Sequence, residues 1–261
     1  AKPDALSIVV PTSMHFEVAK TAMENGVHCL IEKPVTTSVD EAEQLLRLAN
    51  KKDLILQVGH IERFNSAVQH VREFVKDPYL IQTHRMGPFS PRISDVGVVL
   101  DLMIHDVDII LSMINSDLVS ISAMGRCIRT NHEDIASAQL MFANGAMAQI
   151  LVSRVSEKRS RQMEITEAER YITVNYESQD ISVQRCVRQS GGNIVEVMEH
   201  PVFPKAEPLK LELQHFVSCV RDGRQPMVGI RDGKRALEVC IAALRQIHEE
   251  KNETSSLLSA I

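Results

Sequence analysis

The first sixty residues alternate between short apolar runs and amphipathic segments, and this alternation restricts the fold more than any other feature of the chain. Ala5–Val10 is an apolar run of the kind that a parallel strand buries on both faces. His15–Asn25 has helical character and stops at Gly26, a residue type common just past a helix end. His28–Glu32 reads as the next strand, closed by Pro34. Ser38 and Glu41 have the spacing of a capping box and open a helix that runs to about Lys52. Leu54–Gly59 is a third apolar run. The order β-α-β-α-β predicts a doubly wound parallel sheet with right-handed crossovers.

Doubly wound sheets that bind dinucleotides consist of two such halves, and the first half carries a glycine-rich phosphate loop. Only one half is visible here. No G-x-G-x-x-G occurs in the chain, and Gly191–Gly192 falls in a β-rich stretch that opens no helix. Roughly 60 residues, about two βαβ units, are therefore expected ahead of Ala1, and the natural protein is expected to be longer. A half-sheet alone would leave an apolar edge exposed.

After Gly59 the pattern changes. Asn65–Val75 reads as a helix, Leu80–Met86 as a strand and Val96–Ile114 as one long helix. β-rich runs follow at Leu118–Ile128, Ile135–Phe142, Ala146–Val155, Arg161–Thr166, Tyr171–Asn175 and Asp180–Gln189, with a hairpin signal at Asn144–Gly145. Strands joined by short turns predict a mainly antiparallel sheet. Leu209–Asp222 and Arg231–Glu249 read as closing helices. The expected domains are 1–60, 61–252 and a Ser-rich, disordered tail at 253–261. The alternate positions Ile121, Ala123, Ala138, Leu140, Ile150 and Val152 form a polar-poor sheet face that suggests self-association as a homodimer or homotetramer.

The formal net charge is -5, from 29 Lys+Arg against 34 Asp+Glu, which argues against a nucleic-acid partner. No apolar run approaches the roughly 18 residues of a membrane span. The five cysteines are odd in number and form no Cys-x-x-Cys, which reads as free thiols in a reducing cytoplasm. The histidines show no metal-binding spacing, so no metal is expected.

The sharpest motif is Asp101-Leu-Met-Ile-His105. Four residues apart on a helix, the two side chains lie on one face. A carboxylate there can orient one imidazole nitrogen and aim the other at a substrate as a general base. Asp108 continues that face while Asp106 points elsewhere, and the stripe interrupts an apolar helix, so it is expected to line a cleft. The plainer alternative is a surface pair worth a few tenths of a kcal/mol. Glu32-Lys33-Pro34 ends the second strand, at the edge where open α/β sheets bind ligands. Pro34 restricts Lys33 to extended geometry, and the alternative there is an ordinary loop. Pro11-Thr12-Ser13-x-His15 and Gly59-His60-Ile-Glu62-Arg63-Phe64-Asn65 leave the other two strands at the same edge. Arg63 can hold a phosphate or carboxylate in bidentate fashion, and Asn65 can instead cap a helix. Arg85 and Arg92 flank Gly-Pro-Phe-Ser-Pro and can grip an anionic group. The basic run Lys158-Arg159-Ser160-Arg161 reads as a solvated turn.

With these residues assembled, the chain resembles the glucose–fructose oxidoreductase and inositol dehydrogenase family of NAD(P)-dependent sugar oxidoreductases. Glu32-Lys33-Pro34 and Asp101…His105 stand as that family's two signatures, and the resemblance runs from Ala5 to about Glu249. It implies the C-terminal half of a Rossmann sheet, then a mainly antiparallel α+β domain. It also implies catalytic roles for Lys33 and His105, with Asp101 supporting His105. Pro11, Thr12, His15, Glu32, Lys33 and Arg63 become expected contacts of NAD or NADP. His60, Glu62, Asn65, Arg85 and Arg92 become expected substrate contacts. Val58–Asn65 is similar to the subgroup that oxidises nucleotide-activated amino sugars, UDP-N-acetylglucosamine at C3 among them. A free-sugar or inositol dehydrogenase remains open, as does a non-catalytic binding or oligomerisation module.

Overall fold

A computed structural model gives the structure of residues 2–90, 96–188 and 194–258. The chain opens with β1 (Ala5–Ile8), α1 (Thr12–Glu24), β2 (His28–Glu32), α2 (Val39–Lys52) and β3 (Leu56–Gly59). A short 3-10 turn (Ile61–Phe64), α3 (Ser66–Phe74) and β4 (Leu80–Met86) follow. A π-helical turn (Val99–Met103) then leads directly into α4 (Ile104–Met113). The run β5 (Leu118–Arg126), β6 (Ile135–Phe142), β7 (Met147–Ser153), β8 (Ser160–Thr166), β9 (Arg170–Asn175), β10 (Asp180–Arg188) and β11 (Ile194–Glu199) comes next. Helices α5 (Pro208–Asp222) and α6 (Ile230–Leu258) close the chain. Two compact units result: Ala1–Phe64 with Ala206–Glu238, and Asn65–Lys205 with Val239–Ile261.

In the first unit β1, β2 and β3 lie side by side, all parallel. The apolar runs of β2 and β3 are buried on both faces, with Cys29, Leu30, Ile31, Leu56 and Val58 at 0–3% exposure, whereas β1 buries Ile8 and leaves Ser7 exposed, with Val9 just beyond it 71% exposed. Ser38 caps α2 through the reciprocal bonds with Glu41 that the sequence indicated. The segment after residue 206 joins this unit, which the sequence pattern could not reveal. Phe216 and Cys219 of α5 pack on Leu30 and Ile55. Val58 N–H donates to the Val228 carbonyl at 3.0 Å, and Gln57 bridges Gly229 in antiparallel fashion, so β3's outer edge is covered. Gly233, in the first turn of α6, stands against the same strand.

The second unit is built on an eight-stranded sheet of order β11-β10-β9-β8-β4-β7-β6-β5. Every neighbouring pair is antiparallel except β4 with β7, which run parallel. The turn at Asn144–Gly145 joins β6 to β7, with Gly145 at φ +86°, where a residue without a Cβ is favoured. Ala138, Leu140, Ile150 and Val152 are 0–2% exposed and Ala123 is 6%, so this face is the unit's own core. The expectation that it serves self-association is corrected: α4 packs on β7, and α6 reaches β5. There the Gln246 side chain accepts from Ala123 N–H at 2.8 Å and donates to the Ile121 carbonyl at 2.9 Å.

Three other expectations shift. The long helix over 96–114 begins only at Val98–Val99, and its first turn is π-helical. β11 is an additional strand, and residues 253–258 extend α6 because no Gly or Pro stops it. Gly191–Gly192 and Arg92 lie outside the described residues.

A Cβ at Gly233 would sit 2.7 Å from Val58 Cγ2. Helix propensity alone favours Gly233→Ala by about 1 kcal/mol. Overpacking against β3 costs about 1–3 kcal/mol, so the variant is expected to be less stable. Denaturant unfolding checks the sign.

Candidate active site

β4 and β7 end together, Met86 opposite Ser153. Beyond these carboxyl ends lies a cavity of about 530 Å³, all of it within the second unit. The loop Gly87–Ser90 forms one wall, Asp101 and Leu102 of the π turn another, and Arg154, Glu157, Arg159 and Arg161 the rest.

A buried ion pair sets the back of this cavity. Arg85 Nε donates to Asp106 Oδ2 at 3.0 Å and Nη2 donates to Oδ1 at 2.9 Å, with side chains 3% and 0% exposed. The Arg85 guanidinium also lies 4.9 Å from the centre of the Tyr176 ring. Asp106 is thus held by Arg85, which lines the same cavity as Asp101. Arg85 was expected to grip a substrate anion; its fork is instead matched to a carboxylate of its own chain.

A second network fixes the approach to the π turn. Arg154 donates to Asp134 at 2.7 Å, to the Thr130 hydroxyl at 2.7 Å and to the Val96 carbonyl at 2.6 Å. Glu133 accepts from Val99 N–H at 3.1 Å through its side chain and from Val98 N–H at 3.0 Å through its carbonyl. A Cβ at Gly97 would collide with the Glu133 carboxylate. Burial pushes the Asp134 carboxyl up, but the N–H groups of Arg129 and Ile128, then Arg154 and the Thr130 N–H, outweigh it and hold it well below the usual range. Asp101 is half-buried on the braced turn, and His105 is half-buried at the start of α4.

In the first unit the strand ends carry the expected polar groups. His15 is 1% exposed, its ring nitrogens 2.9 Å from the carbonyls of Pro34 and Val10. It braces the end of β1 against the Lys33–Pro34 turn, where the peptide bond is cis. Pro11 precedes α1 without a side-chain cap, so the helix presents its first N–H groups beside the end of β1. Thr12, Glu32, Lys33 and Glu62 are half-buried at these ends, and Pro11 is exposed. His60 and Arg63 are buried, with Arg63 donating to the Met227 carbonyl at 3.4 Å. Asn65 is buried in the second unit, where it caps α3 through Ala67 N–H and donates to the Tyr176 carbonyl at 2.9 Å. Strand carboxyl ends beside an uncapped helix start fit a dinucleotide held at Pro11, Thr12 and Glu32–Lys33.

Sequence reasoning missed Glu212. This α5 carboxyl is 1% exposed, and its Oε1 has no hydrogen-bond partner among the described residues. Gln57 Nε2 donates to the Glu212 carbonyl at 3.2 Å. Burial pushes the Glu212 carboxyl up to about 8, and the nearby charge of Glu32 adds to the effect.

Comparison with known proteins bears directly on this geometry. Residues 1–60 match a model described as an oxidoreductase family with an NAD-binding Rossmann fold, and residues 55–172 match the GFO/IDH/MocA C-terminal domain. UDP-N-acetylglucosamine 3-dehydrogenase of Acidithiobacillus ferrooxidans is 35% identical over 243 residues, covering 92% of this chain and 78% of that protein. The chain belongs to the Gfo/Idh/MocA oxidoreductase family. A solved structure of that same dehydrogenase superposes with a TM-score of 0.87 at 33% identity, covering 94% of this chain and 78% of the other. The NAD(+)-dependent scyllo-inositol 2-dehydrogenase of Bacillus subtilis is 28% identical, covering 92% of this chain and 74% of the relative. As a Gfo/Idh/MocA member the protein is an NAD(P)-dependent dehydrogenase of the sugar and inositol type.

Glu212 gives a pH prediction. Its value of about 8 in the fold lies above the ordinary 4.5, so between those limits the folded state keeps a proton that the unfolded chain releases. Its contribution is fully present below pH 4.5 and is lost as pH rises towards 8. Glu212→Gln should therefore gain in melting temperature over the parent as pH goes from 5 to 8. Parallel pH profiles for the two proteins would contradict this.

Proposed function

We propose that the protein oxidises a secondary alcohol of a nucleotide-activated amino sugar, with C3 of UDP-N-acetylglucosamine as the reacting carbon and NAD or NADP as hydride acceptor. The observation that carries this reading is the roomy cavity beside Asp101, walled by arginines, in a chain that shares 35% identity with an enzyme of that name.

When bound, the dinucleotide supplies the hydride chemistry. The remaining work falls to this chain's side chains. His105 removes the hydroxyl proton as general base, and Asp101 keeps the imidazole oriented for that transfer. Lys33 supports the proton transfer by donating to the developing alkoxide, where a positioned cation counts most. Pro11, Thr12, Glu32 and Lys33 hold the dinucleotide at the strand ends, while His15 and Arg63 act on the scaffold around it. His60 and Glu62 contact the substrate.

A second reading, oxidation of a free polyol, is favoured by the likeness to the scyllo-inositol enzyme. Reduced-cofactor formation separates the two. UDP-N-acetylglucosamine should be oxidised in preference to scyllo-inositol, with UDP a competitive inhibitor; turnover of the inositol without inhibition by UDP would favour the second reading. Under either reading, His105→Ala and Lys33→Ala should each lower kcat well over tenfold while circular dichroism stays that of the parent. Near-normal turnover in both variants would refute the catalytic assignment.

A further inference from the structure

Two carboxyl groups of the first unit meet at the strand ends, and the reaction as derived uses only one of them. The face that α5 turns to the sheet carries Glu212, Phe216 and Cys219. Phe216 and Cys219 pack on Leu30 and Ile55. Two residues beyond Ile55, Gln57 bonds the Glu212 carbonyl at 3.2 Å. The helix therefore runs back along the sheet, and its Glu212 turn lies toward the carboxyl ends of the strands. Glu32 stands two residues after Leu30, on the strand face that Phe216 covers, and is paired in register with Gly59. A Cβ at Gly59 would lie 3.0 Å from Glu32 Oε2, so the missing side chain is what leaves room for this carboxylate. Glu212 is 1% exposed, and its Oε1 has no hydrogen-bond partner among the described residues. Burial, then the charge of Glu32, raises its carboxyl to about 8, so Glu212 keeps its proton at neutral pH.

The place of Glu32 in the chain connects this pair to the cofactor. A carbon whose oxygen is held by Lys33 passes its hydride directly to the nicotinamide ring, which requires the ring beside that carbon. Glu32 is the residue before Lys33. The ring is a cation in the oxidised dinucleotide and neutral in the reduced one.

We propose that Glu212, acting through Glu32, is a positioning residue for the charge of the nicotinamide: it gives up its proton to solvent when the oxidised dinucleotide binds and keeps it when the reduced form binds. The inference rests on the placement of the dinucleotide at Glu32–Lys33 and gives a role to a buried acid that touches no reacting atom. One proton leaves as the cation enters, and one returns from solvent once hydride has neutralised the ring; no electrons pass through Glu212. A cation near the pair lowers the proton affinity of Glu212, and by linkage the loss of that proton strengthens binding of the cation. NAD(+) affinity is therefore predicted to rise with pH and to level off above about 8, where Glu212 is ionised with or without cofactor. NADH affinity is not linked to this proton.

Other titratable groups lie on the elements around α5. The 3-10 turn packed against it carries Glu62 and Arg63, with His60 just ahead, and Arg63 donates to the Met227 carbonyl. On α5 itself His215 accepts from Met227 N–H, and burial, then Arg224, holds its imidazole below the ordinary value. On β2, His28 accepts from Ile55 N–H at the opposite end from Glu32, and Lys33 follows the strand. All of these remain when Glu212 is replaced, so the difference between parent and variant isolates one proton.

The test is calorimetric binding of NAD(+) and of NADH to the full chain from pH 6 to 9, without sugar, for the parent, Glu212→Gln and Glu212→Met. In the parent the Kd of NAD(+) relative to that of NADH should fall about fivefold or more across this range, with protons released on NAD(+) binding. In both variants the ratio should be flat and that release lost. Glu212→Met removes the same proton with an apolar side chain, which keeps the test open if the Gln variant does not fold. Glu207→Gln, at an exposed position just ahead of α5, is the control and should keep the parent's profile. A parent ratio independent of pH, or one that falls equally in the variants, overturns the role of Glu212 and leaves the cofactor placement standing. A parent that binds neither dinucleotide overturns that placement and the inference with it.

Discussion

The buried pair of Arg85 and Asp106 is the constraint on which the second unit's chemistry depends. Taking two charges out of water costs several kcal/mol per ion, recovered only when geometry is good. Here the fork meets the carboxylate through two bonds of 2.9 and 3.0 Å. Any slide or rotation of α4 over β4 would leave both charges buried and mismatched. The pair therefore specifies one register, and that register decides where His105 stands. Such pairs are poor evidence for stability but good evidence for specificity of arrangement. The network of Arg154, Asp134 and Glu133 does the same for the backbone just ahead of Asp101. Two polar networks, one below the helix and one at its entrance, thus define the site's geometry, while the apolar core supplies its stability.

The first unit depends on a different device. Three parallel strands end at one edge, and His15 ties the first of those ends to the turn that carries Lys33. Segment 206–238 closes the far edge of this sheet and buries Glu212 where Glu32's charge reaches it. A carboxyl so disposed holds its proton at neutral pH, which keeps two like charges from facing each other beside β2.

Much of this could be read from the sequence where the cause is local. The Ser38–Glu41 box, the Asn65 cap and the Asn144–Gly145 turn are interactions between neighbours in the chain, and each stands where spacing placed it. The π turn was not legible, because apolar spacing fixes which face is buried and does not record a residue inserted into the first turn. The parallel pairing of β4 with β7 depends on which distant strand fills the gap, and periodicity carries no partner information. Arg85 shows the same limit in the site itself. An arginine beside a Gly-Pro loop looks like an anion receptor until the buried carboxylate on α4 is seen. Arg159 and Arg161 are the converse, a basic turn that reads as solvated surface until the cavity beside it is seen.

The central claim is that hydride leaves C3 of a nucleotide-activated amino sugar. Reaction of UDP-N-acetylglucosamine carrying deuterium at C3, followed by mass measurement of the reduced cofactor, tests it most directly. The account predicts a reduced nicotinamide one mass unit heavier than that formed from unlabelled sugar. Deuterium retained in the sugar while the cofactor is reduced would contradict it.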